Sequence, residues 1–86
     1  GWRGAAILRR NAAVALGNAL DRCAVPALRE SLEDDPHAMV REHAAWALGR
    51  IASPDALQAL HCRLPNETNA SVRAEITLSL EPFRRA

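Results

Sequence analysis

Apolar residues recur every three or four positions in five stretches of the chain, and turn-forming residues separate these stretches. Side chains three and four positions apart share one helix face, so the first stretch predicts a helix over residues 4–18. Gly17 and Asn18 tolerate left-handed backbone conformation, and we expect them to end this helix. The apolar face of the predicted helix consists of Ile7, Leu8, Ala12, Ala15 and Leu16.

The second and third stretches follow the same rule. A helix is predicted over 23–33, with Pro26 near its start, where the missing N–H leaves no helical bond unmade. Pro36 disfavours helical conformation at the residue before it and therefore separates this helix from the next. The third helix is predicted over 37–51 and is expected to end near Gly49, as the first ends near Gly17.

The fourth helix is predicted over 53–64. Ser53 suits the N-cap and Pro54 the first helical position. A fifth helix begins near Ser71 and fades at Pro82. Its apolar face consists of Val72, Ile76 and Leu80.

The chain repeats itself at an offset of 32 residues. The segment VREHAAWALGR, residues 40–50, falls on residues 8–18 and on residues 72–82. Two helix types alternate in the order A-B-A-B-A, and the repeats cover about 4–35, 36–67 and, as a half repeat, 68–86. Helical hairpins of such a period stack, because one hairpin cannot bury its apolar face alone. We expect an all-α fold, an α-solenoid of about two and a half repeats, in a single domain over 1–86.

Composition narrows the class of protein. Apolar residues make up 49% of the chain, much of it Ala, while aromatic residues are 3% and Tyr is absent, which favours closely packed helices. Cys23 and Cys62 have no C-x-x-C companion, so we expect reduced thiols and neither a metal site nor a disulfide framework. No apolar run approaches the roughly 20 residues of a membrane span, and we expect a soluble, cytoplasmic protein with no membrane partner.

The formal net charge is +1, so no overall field demands a nucleic-acid partner. All 11 basic residues are Arg. Arg binds phosphate and carboxylate at two points and suits RNA or an acidic partner, whereas a GC-rich genome would produce the same bias. The sequence contains no Gly-rich phosphate loop, HExxH motif or nucleophile elbow. It therefore predicts no catalytic, cofactor-binding or metal-ligating residue and no small-molecule substrate.

Arg41 and its repeat equivalents stand near the start of successive A helices. Stacked repeats would bring them into a row that binds phosphates. Alternatively, each pairs with acidic residues of the loops between repeats, such as Asp34 and Asp35, and with neighbouring carbonyl groups. The equivalents of Arg41 are Arg9 and Arg73.

The first predicted helix carries the local basic excess of the chain, since no acidic residue precedes Asp21. This excess predicts a patch that binds the phosphates of a nucleic acid, a solvated helix face, or the seam to another domain. Trp2 fits such a seam, because an exposed Trp often marks a protein interface. The basic residues are Arg3, Arg9 and Arg10.

His43 and Trp46 lie in the third helix. His43 matches Asn11 and Glu75 in the other repeats, which favours a surface or capping role over catalysis. Trp46 matches Val14 and Leu78, and we expect it in the core and not stacked on a base.

The unit DDPHAMVREHAAWALGRIASPDALQALHCRL resembles a short HEAT-like repeat, with its acidic-Pro loop, Val-Arg pair and Ala-rich helix ending in Leu-Gly. More specifically, RRNAAVALGN, AVPALRESL and VREHAAWALGRI are similar to the C-terminal HEAT-like region of the epoxyqueuosine reductase family. The Arg10-Asn11 pair and the segment His43 to Gly49 match that region. The fifth helix departs from the pattern, as terminal repeats that cap a stack usually do.

The resemblance implies an accessory domain of an iron–sulfur and cobalamin-dependent enzyme of tRNA queuosine biosynthesis. The [4Fe–4S] clusters and cobalamin would belong to an upstream catalytic domain, and this chain, which begins at Gly1, would be a fragment of the longer protein. A HEAT-type protein-interaction module of the kind found in phycobilisome-lyase-like proteins, with no nucleic-acid role, is the alternative. Under the first hypothesis the residues that contact tRNA are Arg3, Arg9, Arg10, Asn11, Arg41 and His43.

Overall fold

The computed structural model describes the backbone of residues 2–84 and the side chains of residues 4–84. Within this part five α-helices follow one another without a strand, as the sequence predicts. The second helix is preceded by a 3-10 turn, Arg22–Ala24, where its predicted start lies. The helices are α1 (Trp2–Ala19), α2 (Val25–Asp34), α3 (Ala38–Ile51), α4 (Pro54–Arg63) and α5 (Ala70–Leu80).

Side-chain caps fix the starts of two helices. Ser53 Oγ accepts a hydrogen bond from the amide of Ala56 at 3.2 Å, and Pro54 opens α4 behind it, as predicted. Asn69 Oδ1 accepts from the amides of Ser71 and Val72, so α5 begins at Ala70. These bonds satisfy amides that have no partner inside the helix.

Gly17 and Gly49 do not end their helices, and the prediction that they do is wrong. Both lie inside a helix, and the left-handed conformation falls instead on Leu20 and Ala52, each with φ of 54°. The glycines serve helix packing. A Cβ on Gly17 would lie 3.0 Å from the Cα of Ala47, so only the missing side chain allows α1 and α3 to come this close.

The helices form two layers. The A helices α1, α3 and α5 lie side by side, with α3 in the middle, and the B helices α2 and α4 cover α3 from one side. The core between the layers is closed, because its largest side chains are fully buried. These are Leu28, Leu32, Val40, Leu48, Leu60, Val72 and Ile76. The arrangement is that of an α-solenoid.

The first A helix differs from its equivalents in burial. Val40 and Val72 are 1% and 0% exposed, whereas Leu8, at the same position of the repeat, is 70% exposed. The helix α1 packs mainly against α3, whereas α3 packs against α1, α5 and both B helices. One face of α1 therefore stays uncovered.

Candidate nucleic-acid interface

The arginines near the start of the A helices face the loops between repeats. Arg9 Nε lies 2.7 Å from Asp35 Oδ2, and Arg9 Nη2 lies 3.3 Å from Asp35 Oδ1. Arg41 Nε and Nη2 bind the two carboxylate oxygens of Glu67 at 3.0 and 3.1 Å. Both pairs span 26 residues and occupy the same position in successive repeats. The two-point geometry is that of strong guanidinium–carboxylate pairs.

The same arginines also hold the preceding loop. Arg41 Nη1 donates to the carbonyl of Asp35 at 2.8 Å. Arg73 Nη1 donates to the carbonyl of Glu67 at 3.0 Å and to that of Leu64 at 2.9 Å. Each acidic loop residue is thus held between the arginines of two consecutive A helices. We call this chain of contacts, Arg9–Asp35–Arg41–Glu67–Arg73, the arginine ladder.

The ladder carboxylates also organise their own loops. Asp35 Oδ1 accepts from the amide of His37, and Glu67 Oε2 accepts from the amide of Asn69, each at 2.9 Å. Arg63 Nε adds a further bond to Glu67 Oε1 at 3.1 Å. The pairing alternative weighed from the sequence is present for Arg9, whose acid is Asp35 and not the exposed Asp34, and for Arg41, whose acid is Glu67.

The electrostatics follow from these contacts. Burial alone would raise the pKa of Glu67, but the hydrogen bonds from Arg41, from the Asn69 amide and from Arg63 outweigh it and lower that pKa to about 2. Burial acts likewise on Asp35, and the hydrogen bond from Arg9 leads the contacts that lower its pKa. Both carboxylates are therefore ionised at neutral pH. They offset much of the positive charge of Arg9 and Arg41.

Glu67 was not identified from the sequence, and Arg63 was a candidate for ligand contact and not for a bond to Glu67. A usable signal exists, because Asp35 and Glu67 are both acidic, lie at the same position of the 32-residue repeat and stand three residues before an A helix. A carboxylate there can bind the amide two residues on, which is a common way to shape such a loop.

Arg10 and Asn11 lie side by side on α1. Arg10 Nε donates to Asn11 Oδ1 at 3.2 Å, and Arg10 Nη1 lies 3.9 Å from the sulfur of Met39 on α3. Among the described residues no carboxylate pairs with Arg10, in contrast to Arg9 and Arg41. The side chains of Trp2 and Arg3 lie outside the described residues.

His43 is anchored within α3. Its Nδ1 lies 2.7 Å from the carbonyl oxygen of Met39, and because a carbonyl can only accept, Nδ1 carries the proton. Nε2 is therefore the ring nitrogen that can accept a hydrogen bond when the ring is neutral. Met39 thus contacts His43 through its backbone and Arg10 through its side chain, which brings these two predicted site residues to one region of the A layer.

A family profile and a solved structure relate this chain to known proteins. A family profile described as HEAT repeats matches residues 4–81. The chain belongs to the HEAT-repeat family. The crystal structure of selenomethionine-labelled epoxyqueuosine reductase is similar to it, with a TM-score of 0.78 and 36% sequence identity. The match covers 84% of this chain and 19% of that one. No curated protein matches the sequence significantly.

The side chain of Trp46 in this HEAT-repeat chain is neither fully buried nor fully exposed. It is half-buried against the core, between α1 and α5, so the expectation that it lies in the core holds in part. The guanidinium carbon of Arg50 lies 5.8 Å from the centre of the Trp46 ring, within the range of a cation–π contact.

The remaining HEAT-repeat surface shows few other features of a chemical site. Cys23 and Cys62 are exposed free thiols on different elements. Within residues 2–84 no three metal-ligating side chains gather at one point. No helix of the described part has the length and apolar character to cross a bilayer.

Proposed function

We propose that this HEAT-repeat chain is an accessory domain of an epoxyqueuosine reductase-like enzyme of tRNA queuosine modification. The observation that carries the proposal is the match to the epoxyqueuosine reductase crystal structure, since identity and fold agree over most of this chain. That match covers a minor part of the other protein, so in this proposal the oxidoreductase chemistry belongs to a separate catalytic domain. The complete protein would act in the cytoplasm.

The iron–sulfur clusters and cobalamin that the resemblance implies fit a catalytic domain better than this chain. A [4Fe–4S] cluster takes four cysteine thiolates. This chain has two cysteines, Cys23 in the turn before α2 and Cys62 in α4. Its residues alone could not hold a cluster, and the proposal places the clusters and cobalamin outside it.

We assign to the chain a contribution to tRNA binding through the exposed side of α1. Arg10 supports this role, because its guanidinium has no carboxylate to neutralise it among the described residues. Arg3 belongs to the same helix, and in this proposal it is the second basic residue that contacts tRNA. Arg9 and Arg41 contribute less in this proposal, since Asp35 and Glu67 already bind them.

The test measures binding of fluorescein-labelled tRNA to the 86-residue chain by anisotropy at several salt concentrations. The variant Arg3→Ala/Arg10→Ala should raise the Kd at low salt by about ten-fold or more and reduce the slope of log Kd against log salt by about 1.5, because two phosphate contacts are lost. The matched control, Arg22→Ala/Arg29→Ala, removes two exposed arginines from the turn before α2 and from α2. It should change the Kd by less than about two-fold.

Equal losses in both double variants would show that binding depends on overall charge and not on α1. Absence of binding by the unmodified chain at low salt would reject an autonomous tRNA contact and favour the second candidate function. That candidate is a protein-interaction module without a nucleic-acid role, whose partner is the catalytic domain or another protein. The observation that favours it is the apolar surface of α1, where Ile7 and Leu8 are 43% and 70% exposed.

A further inference from the structure

Two glutamates of the A layer stand apart from the other acidic residues. Four acidic side chains of the described chain are at least half-buried. Asp35 and Glu67 are paired with arginines of the ladder, whereas no arginine among the described residues pairs with Glu42 or Glu75. A half-buried carboxylate that no arginine neutralises carries a desolvation penalty, which a bound guanidinium would relieve.

The two glutamates line one pocket. Glu42 comes from α3 and Glu75 from α5, and the pocket between them has a volume of about 210 Å³. Its other walls are Val14 of α1, His43 and Trp46. It is the space between three A helices on the side of the layer that the B helices leave open.

The polar groups of this pocket are acceptors. Burial and the charge of Glu42 raise the pKa of Glu75, against the hydrogen bond from Ser79, whose Oγ lies 3.3 Å from Glu75 Oε2, and against the charge of His43. The Nδ1–H of His43 is bound to the carbonyl of Met39, so Nε2 is the ring atom that can accept a hydrogen bond when the ring is neutral. Two carboxylates, one imidazole nitrogen and an indole wall thus suit a flat cation rich in donors.

We propose that this pocket binds the guanidinium group of an arginine side chain from another polypeptide. A guanidinium presents five N–H donors in one plane, enough to reach acceptors on two helices, whereas an ammonium is a compact point charge. The chain uses the same chemistry elsewhere, in the guanidinium–carboxylate ladder and in the placement of Arg50 on the Trp46 ring. A phosphate is excluded by charge, because two carboxylates would face it.

The pocket borders the surface proposed to bind tRNA, because the pocket residue His43 and Arg10 both contact Met39. Arg10, the main predicted phosphate ligand, lies on α1 and is not among the residues that line the pocket. The A layer therefore presents a basic edge at α1 and an acidic pocket between α3 and α5. Binding of an arginine side chain in the pocket does not require binding of tRNA at α1.

The test titrates the 15N-labelled chain with Nα-acetyl-arginine amide and follows the indole N–H cross-peak of Trp46, assigned with a Trp46→Phe variant. We expect a saturable shift of this peak with the arginine probe and none with Nα-acetyl-citrulline amide, which is neutral and nearly the same shape. The variant Glu42→Gln/Glu75→Gln should bind the arginine probe about ten-fold or more weakly. The matched control Glu30→Gln/Asp34→Asn, which removes two charges from exposed positions of α2, should bind it as the unmodified chain does.

Several results would overturn the proposal. Equal shifts from arginine and citrulline would show that charge plays no part, and undiminished binding by Glu42→Gln/Glu75→Gln would place the probe elsewhere. Equal binding of spermidine would show a general cation site in place of a guanidinium site. Binding of agmatine without binding of a Gly-Arg-Gly amide would identify a small-molecule amine, and not a polypeptide, as the ligand. Loss of arginine binding in Arg10→Ala would contradict the separation of the two surfaces.

Discussion

Arg41 and Glu67 join the middle helix of the A layer to the loop that leads into the last one, through two hydrogen bonds of 3.0 and 3.1 Å. The Glu67 side chain is fully buried and that of Arg41 is 12% exposed. Such a pair resists solvent screening, because neither charge faces open water. Its importance lies in what happens when one partner is removed, since the other charge then stays buried without compensation.

We predict that Glu67→Gln lowers the free energy of unfolding by about 3 kcal/mol, because it leaves Arg41 and Arg63 without their carboxylate. Urea denaturation followed by circular dichroism measures the change. The control is Glu33→Gln, which removes the same charge from an exposed pair with Arg29 and should cost less than about 0.5 kcal/mol. Similar losses in the two variants would contradict a special role for the buried pair.

The low pKa of Glu67 makes stability depend on acid pH. Its pKa in the folded chain is about 2, against an ordinary value of 4.5, so the unfolded chain takes up the proton first. The stabilisation by Glu67 is complete above pH 4.5 and is lost as the pH falls from there towards 2. Thermal unfolding of the unmodified chain should therefore shift to lower temperature across this range. The Glu67→Gln variant should shift less, and parallel curves for the two proteins would disprove the assignment.

The glycines of the A helices predict a contrast between two identical substitutions. A Cβ at position 17 would lie 2.7 Å from Trp46 Cζ3 and 3.0 Å from the backbone of Ala47, whereas a Cβ at Gly4 would have no neighbour within 4 Å. We expect Gly17→Ala to destabilise the chain by about 1–3 kcal/mol through overpacking, partly offset by the better helix propensity of Ala. Gly4→Ala should stabilise it by about 0.5 kcal/mol. Chemical denaturation of both variants measures the difference, and equal effects would refute the close approach of α1 and α3.

The uncovered face of α1 gives a fourth prediction. Val40→Ala should lower the free energy of unfolding by about 2 kcal/mol, because the side chain of Val40 on α3 is buried. Leu8→Ala removes more apolar atoms from the equivalent position but should cost less than about 0.5 kcal/mol, since Leu8 is 70% exposed. Unfolding midpoints of the two variants decide the matter. A large loss for Leu8→Ala would mean that α1 is covered in solution.

The helices and the repeat could be predicted because their signals are local or periodic. Apolar spacing and the residues Pro36, Ser53 and Pro54 locate the elements to within a few residues of their observed bounds. The glycines could not be interpreted in this way. The residues around Gly17 in the sequence would suit a glycine that ends a helix equally well. Only the closeness of Ala47 in the structure shows that Gly17 is needed for helix packing.

The candidate site was predictable in part. Arg9 and Arg41 could be placed in one row by the repeat, and pairing with loop acids was one of two interpretations. The repeat position of Glu67 marks it as an acidic loop residue, but its contact with Arg41 spans 26 residues and depends on how α3 packs against the loop after α4. The pocket between Glu42 and Glu75 likewise exists only once α3 and α5 lie side by side.

The arginine ladder also determines how the chain comes apart. Asp35 and Glu67 each bind one A helix through the carboxylate and the next A helix through the carbonyl. An A helix can detach only if it releases a loop that is also bound to the arginine of the neighbouring A helix. Much of the stability therefore belongs to the junctions between repeats and not to the single repeats. Fraying from one end is therefore opposed by the adjacent junction. We therefore expect the described helices to unfold as one cooperative unit, in a single transition.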